Sequence, residues 1–134
     1  MLLTRETDYA LRILRCLLDG ARKSVGEIAK QGLVPQQFAY KITKKLSRAG
    51  LVQIVRGAEG GCQLSADLTG ISLYDLMAAV EDTCSVNACT QPGYSCSWAE
   101  QNGGCRMHQR FLLIQGRIDE ELRGHSVMSL LTEP

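Results

Sequence analysis

Ser24-Val25-Gly26-Glu27-Ile28-Ala29-Lys30-Gln31-Gly32-Leu33-Val34-Pro35-Gln36-Gln37-Phe38-Ala39-Tyr40-Lys41-Ile42-Thr43-Lys44-Lys45-Leu46-Ser47-Arg48-Ala49 is the stretch on which the fold turns. Ser24 and Glu27 have the spacing of a capping box, in which each side chain satisfies a free backbone donor at a helix start. A short helix to about Gln31 follows. Gly32-Leu33-Val34 reads as a turn. Pro35 suits the start of the next helix, where a missing N–H costs nothing. That helix, spanning residues 35–49, is two-faced. Phe38, Ile42, Leu46 and Ala49 recur at helical spacing and are expected to face a core. Gln37, Lys41, Lys44 and Arg48 lie opposite, with Gln36 and Tyr40 near the leading end. Two short helices joined tightly, the second amphipathic and basic, describe a helix-turn-helix. In that motif the second helix brings its first residues to base edges in the major groove, while Lys and Arg contact phosphates.

The flanks decide between this and an ordinary surface helix pair. Downstream, Gly50 ends the helix, Leu51–Arg56 reads as a strand and Cys62-Gln63-Leu64-Ser65 as its partner. Between them lies Gly57-Ala58-Glu59-Gly60-Gly61, a glycine-rich hairpin tip whose backbone can approach another surface closely. Arg56 at its base can reach a minor groove or a phosphate. This is the pattern of a wing. Upstream, residues 4–19 read as a helix capped by Thr4, with Tyr9, Ala10, Ile13, Leu14, Leu17 and Leu18 as its apolar stripe. The expected fold is mainly α with a small β-hairpin wing. Candidate DNA contacts are Ser24, Gln36, Gln37, Tyr40, Lys41, Lys44, Arg48, Arg56, Gly57 and Gly60.

Charge supports this placement. The net charge of +1 over 134 residues conceals a division. Residues 1–65 carry eleven Lys and Arg against five Asp and Glu, and residues 66–134 carry four against nine. A basic front half suits a polyanion. No phosphate loop is present, since Gly57–Gly61 lacks the following Lys-Ser/Thr, and no nucleophile–base pair has recognisable spacing. An enzyme is not expected.

The back half opens with Ser72 capping a helix that contains Leu73, Leu76, Met77 and Val80. A sensor-like loop, about residues 83–105, then holds Pro92, Gly93, Gly103, Gly104 and four cysteines: Cys84, Cys89, Cys96 and Cys105. A loop this long inside a compact domain is usually functional or disordered. Its thiols point to soft-metal binding or redox chemistry. No CxxC pair is present, which argues against a zinc knuckle or ribbon. Cys16 and Cys62 sit among apolar neighbours and read as small buried hydrophobes, although a Cys62 thiol exposed beside the wing could affect DNA contact if oxidised. From Arg106 a helix resumes, with Phe111, Ile114, Ile118 and Leu122 on one side. Pairing that side with the same helix of a second chain would bury it and generate a twofold.

Several strings together resemble a known family. They are Leu2-Leu3-Thr4 through Asp8-Tyr9-Ala10-Leu11, Arg56-Gly57-Ala58-Glu59-Gly60-Gly61 with Gln63-Leu64-Ser65, Ile71-Ser72-Leu73, and Ala78-Ala79-Val80-Glu81. The chain resembles the Rrf-two family of winged-helix repressors, which includes IscR and NsrR. The resemblance implies a winged helix-turn-helix with a long C-terminal dimerisation helix, and a homodimer on a double-stranded, pseudo-palindromic DNA operator. It also implies an iron–sulfur cluster, [2Fe-2S] or [4Fe-4S], on Cys89, Cys96 and Cys105, though the gaps between these cysteines are longer here than in most relatives. Asp8, supplied by the other subunit, stands where some relatives have the fourth ligand. His108 stands where others have theirs and is the alternative, and Cys84 is extra, as a spare thiol, a substitute ligand or a small helix-end residue. The expected organisation is a DNA-binding part, residues 1–69, and a sensor-loop and dimer-helix part, residues 70–134. The expected function is a transcriptional regulator whose operator binding follows redox state, nitric oxide or iron–sulfur status. A metal-free thiol/disulfide switch is the alternative, and an iron–sulfur electron carrier a more distant one. No apolar run spans a bilayer, and the first residues lack the pattern of a secretory signal. The cytoplasm is therefore the expected location, with its thiols kept reduced.

Overall fold

The computed structural model describes residues 2–81 and 84–134; Thr83, the first residue of the expected loop, lies outside them together with Asp82. Seven helices and one hairpin make up the described fold. Helix α1 (Arg5–Cys16) starts where the Thr4 hydroxyl accepts from the Glu6 amide, and its buried face is Thr7, Ala10, Ile13 and Leu14. It ends three residues earlier than the periodicity predicts. Leu17 is its C-cap and remains in the core, so the apolar stripe outlasts the helix.

Helices α2 (Val25–Gly32) and α3 (Gln36–Arg48) form the helix-turn-helix. The Ser24 hydroxyl accepts from the Glu27 amide, so the serine cap is in place. Leu33 supplies the turn between the helices in a left-handed conformation, φ 51°. Residue 35 is the N-cap of α3 rather than its first helical residue.

The buried face of α3 is Ala39, Ile42, Thr43 and Leu46. Phe38 and Ala49 were expected in the core and are exposed instead, Phe38 by 39%. The buried sector is rotated towards Ala39 and Thr43, where α1 and α2 approach closely. Thr43 fits there because its hydroxyl donates to the Ala39 carbonyl at 2.7 Å. Phe38 packs at the margin against Tyr9, with ring centroids 5.5 Å apart.

Strands β1 (Val52–Val55) and β2 (Gly61–Leu64) pair antiparallel, with Val52 opposite Leu64 and Val55 opposite Gly61. The wing is pinned to the loop before α2 by two hydrogen bonds, from the Lys23 amide to the Cys62 carbonyl at 3.0 Å and from the Cys62 amide to the Lys23 carbonyl at 2.7 Å. This approach explains Gly61. A Cβ there would lie 2.5 Å from the Lys23 carbonyl oxygen. Cys62 is fully buried, which removes the exposed thiol considered for that position.

Helix α4 (Leu73–Val80) begins with a complete capping box between Ser72 and Asp75. Helix α6 (Arg106–Arg123) is the long C-terminal helix. A terminal helix, α7 (Val127–Thr132), was not legible in the sequence. It joins the main core through Val127 and Leu131. The Val127 amide donates to Ile71, the Leu73 amide to His125, and an Arg15 guanidinium to the Leu131 carbonyl. Among the described residues the C-terminal half of α6 packs within its own chain: Ile118 and Leu122, expected on the side that pairs with a second chain, instead pack on Leu73, Met77, Tyr74 and Cys84. In its first half Met107, Leu112, Leu113 and Ile114 are exposed, Leu113 by 60%. No helix among the described residues is long and apolar enough to cross a membrane.

Candidate nucleic-acid interface and thiol site

The face of α3 that the core leaves uncovered is polar and basic. Gln36, Gln37, Tyr40, Lys41, Lys44 and Arg48 are all exposed on it. Ser24, Arg56 and Gly57 are exposed on the flanking loop and the wing, and Gly60 is half-buried. At Gly60 an added Cβ would lie 2.2 Å from the Val55 carbonyl oxygen, so this glycine closes the hairpin on itself. The lysines of α3 fall into two groups. Lys44 and Arg48 form no ion pair among the described residues. Lys41 and Lys45 both donate to the two carboxylate oxygens of Glu6, at 2.6 Å each. These two bonds, Lys41 first and Lys45 second, hold the Glu6 carboxyl below the usual carboxylate range although its partial burial acts the other way.

The same corner receives the end of α4. Lys45 also donates to the Val80 carbonyl at 2.7 Å. Glu81, next along the chain, accepts from the Thr4 amide, the Thr4 hydroxyl at 2.9 Å and the Thr7 hydroxyl. The segment leading to the cysteine loop is thereby tied to α1 and α3 at once.

Three of the loop cysteines share one cavity. It has a volume of about 590 Å³, and its walls include Cys89, Cys96, Cys105 and His108. Cys89 lies in a 3₁₀ turn (Ala88–Thr90), with its amide donating to Asn87 Oδ1. Cys96 is the N-cap of a short helix within the loop, α5 (Ser97–Gln101). Cys105 is the N-cap of α6, and its sulfur accepts from the His108 amide at 3.3 Å. A sulfur there faces the positive end of an 18-residue helix, a position that favours negative charge. Trp98, Met107 and Phe111 complete the apolar side of the cavity.

The other two candidates lie elsewhere. Cys84 faces a separate cavity of about 470 Å³ beside Glu81 and Asp119. Burial pushes its thiol pKa up, and those two carboxylates add to the shift. Asp8 is exposed on α1 and pairs with Arg12 at 3.0 Å. The donor set around the larger cavity suits an iron–sulfur cluster in kind, since thiolates are the ligands such clusters take. Among the described residues no three His, Cys, Asp or Glu side chains converge on a single ion position. The cavity is thus lined with thiols that are not drawn in around a point.

Two polar residues with little signal in the sequence organise these elements, Gln115 at the loop and Glu6 between α1 and α3. Gln115 of α6 donates to the Cys84 carbonyl at 2.9 Å and accepts from the Val86 amide at 2.7 Å and the Thr90 hydroxyl at 3.3 Å. Its signal was a lone glutamine after the apolar run Phe111-Leu112-Leu113-Ile114. Glu6 gave a weaker signal, because acidic residues are common in a first helical turn.

Comparisons with known proteins agree with this architecture. The chain is 39% identical to protein aau3 of Rhizobium meliloti (strain 1021) over 134 residues, covering 98% of this chain and 85% of that one. Its fold is similar to that of CymR, the global cysteine regulator of B. subtilis, with a TM-score of 0.70 and 21% identity, covering 98% of this chain and 96% of CymR. It is also similar to IscR of T. potens, with a TM-score of 0.67 and 19% identity, covering 97% and 85%. Residues 3–133 match the family described as Rrf2: Iron-dependent Transcriptional regulator. With its helix-turn-helix, its wing and this match over nearly its whole length, the chain belongs to the Rrf2 family of DNA-binding transcriptional regulators.

Proposed function

We propose that the protein is a homodimeric cytoplasmic repressor whose hold on its operator is set by an iron–sulfur cluster at the loop between α4 and α6. The observation that carries this reading is that Cys89, Cys96 and Cys105 line one cavity at the start of α6. The family's description as iron-dependent supports it. Those three thiols would hold the cluster. Asp8 of the partner subunit is the proposed fourth ligand and His108 the alternative. A bound cluster supplies an iron centre that reacts with oxidants and nitric oxide.

The chain's own residues connect that centre to DNA. Residues 1–69 form the proposed reading part, with Gln36, Gln37 and Tyr40 facing bases. Lys41, Lys44, Arg48, Arg56 and the backbone at Ser24, Gly57 and Gly60 face phosphates. Residues 70–134 form the sensing and dimerising part, and the exposed apolar first half of α6 is the surface a second copy covers. The loop hangs from α4, and α4 reaches α1 and α3 through Glu81 and Val80. For control, the DNA-competent conformation must interact better with one state of the loop than the other.

Anaerobic purification followed by iron and acid-labile sulfide assay tests this reading, with operator binding measured before and after nitric oxide. Colourless, iron-free protein with unchanged DNA binding overturns it. A metal-free thiol switch is the second reading. It is favoured by the absence of a converged ion site among the described residues. It predicts that oxidant alone changes DNA binding of metal-free protein, and that replacing Cys89 and Cys105 abolishes the change.

A further inference from the structure

Lys23 counts towards the basic charge of the front half, yet its ammonium is turned inward. The side chain is only 16% exposed. Nζ donates to the Cys16 carbonyl at 2.6 Å and to Gln31 Oε1 at 3.4 Å, and it pairs with Asp19 Oδ2 at 3.0 Å. An ammonium has three N–H donors, so these three acceptors use its capacity in full. Cys16 is the last residue of α1, where a helix leaves carbonyls without intrahelical partners and favours a cation. Gln31 lies in the last turn of α2. One ammonium therefore joins the ends of both helices to the loop between them.

The main chain of the same residue carries the wing. The Lys23 amide and carbonyl both bond to Cys62, and the neighbouring Gly61 lies so close that a Cβ there would meet the Lys23 carbonyl. Gly61 pairs with Val55, the residue before Arg56. Two further bonds tie the same loop to the wing, from Gln63 Nε2 to the Gly20 carbonyl at 2.8 Å and from Arg22 Nη1 to the Glu59 carbonyl at 3.4 Å. We propose that Lys23 is a positioning residue for DNA binding. Its ammonium sets residue 23 against α1 and α2, and its main chain passes that setting through Cys62 and Gly61 to Arg56 on the wing. The inference rests on the reading of the wing as a DNA-contacting surface. Lys23 contributes to affinity through Arg56 and not by touching a phosphate itself.

The test is fluorescence anisotropy on the full-length protein as isolated, with random-sequence duplex DNA as the probe. Lys23→Met keeps the apolar stem and removes the three polar bonds. It is expected to weaken binding roughly three- to tenfold, the scale of one lost phosphate contact. Arg56→Gln should lose a similar factor. The double variant should bind about as well as Arg56→Gln alone, because the lysine acts through the arginine. A loss from Lys23→Met that is as large in the Arg56→Gln background as in the parent overturns the proposal, since it would mark a direct contact with DNA. Parent-like binding by folded Lys23→Met overturns it as well. If Lys23→Met melts too low to measure, Asp19→Asn combined with Gln31→Leu decides, because the pair strips the ammonium of its countercharge and of one acceptor. A loss confined to the background that keeps Arg56 supports the proposal, and unchanged binding overturns it. Unchanged binding by Arg56→Gln instead refutes the reading of the wing, and the proposal falls with it, so the two failures are distinguishable.

Discussion

The carboxamide of Gln115 holds the main chain of Cys84: Nε2 donates to the Cys84 carbonyl at 2.9 Å and also reaches Asp119 Oδ1 at 2.8 Å. With Oε1 accepting from Val86 and Thr90, one side chain fastens the start of the cysteine loop to α6. Gln115→Leu keeps the bulk and removes all four bonds. These groups are partly solvated, so the expected loss of global stability is small, about 1 kcal/mol. The local effect should be larger. Amide exchange at Val86 and Thr90 should accelerate far more than exchange in α1 or α3. Hydrogen-exchange mass spectrometry reads both, and uniform protection would show that the loop does not depend on this clasp.

The division of the thiols between two cavities predicts different roles for the cysteines. Serine at Cys89, Cys96 or Cys105 is expected to cut bound iron and acid-labile sulfide sharply in anaerobically isolated protein. Serine at Cys84 should leave both near the parent level, because its sulfur opens beside Glu81 and Asp119 and not with the other three. Retention of iron by Cys105→Ser combined with loss by Cys84→Ser would reverse the assignment.

Local signals made the front half readable. Ser24, the Gly32-Leu33-Val34 turn, Pro35 and the Gly57–Gly61 tip each act through their own backbone, and the structure places helices and strands between them as expected. Phase was harder to read. Phe38 sits on the apolar side of α3 by periodicity, yet the buried sector is centred on Ala39 and Thr43, and the large ring packs at its edge against Tyr9. Helix α7 spans six residues, too few to show a period, and it is fixed by main-chain bonds to Ile71 and Leu68 that no local pattern reports. Glu6, Glu81 and Gln115 are ordinary polar residues in sequence. Their roles arise from partners up to 77 positions away, between 25 for Thr90 with Gln115 and 77 for Thr4 with Glu81.

Cys62 predicts an alkaline limit to stability. Burial raises its thiol pKa to about 11 from an ordinary 9.0. A group raised on folding contributes stability that is fully present below the unfolded value and lost as pH rises through the folded one. Urea midpoints should therefore hold up to about pH 9 and fall between pH 9 and 11. Cys62→Ala should flatten that fall while lowering the midpoint at neutral pH, since it leaves a gap in the core. In the native parent, Cys62 should react with a thiol reagent only after unfolding. Rapid native labelling at Cys62 would show that this strand opens.

Leu33 predicts a gain. It is 79% exposed and holds a left-handed backbone conformation, which disfavours side chains with a Cβ. Leu33→Gly relieves that strain at little loss of buried area. The expected change is a stabilisation of roughly 0.5–1 kcal/mol, reduced by the greater freedom of glycine in the unfolded chain. A thermal melt reads it. A lower midpoint would mean that Leu33 is packed in solution by something beyond its own chain, with a DNA surface or a second copy as the first partners to examine.

Glu81 links the end of α4 to α1, in the part of the chain proposed to read DNA, and its removal separates stability from transmission. Thr7 is 1% exposed and donates to Glu81. Glu81→Ala leaves that buried hydroxyl without its acceptor, which costs about 1–3 kcal/mol. Glu81→Gln keeps one acceptor oxygen and should lose less. Thr7→Val removes the donor, so combined with Glu81→Ala it should restore part of the stability lost by the single change, and urea denaturation measures the cycle. If the end of α4 also positions α3, Glu81→Ala should weaken operator binding under conditions where the protein remains fully folded, although Glu81 lies on no candidate DNA surface. Full operator affinity in folded Glu81→Ala would confine the residue to stability and leave the Lys45–Val80 bond as the connection between loop and recognition helix.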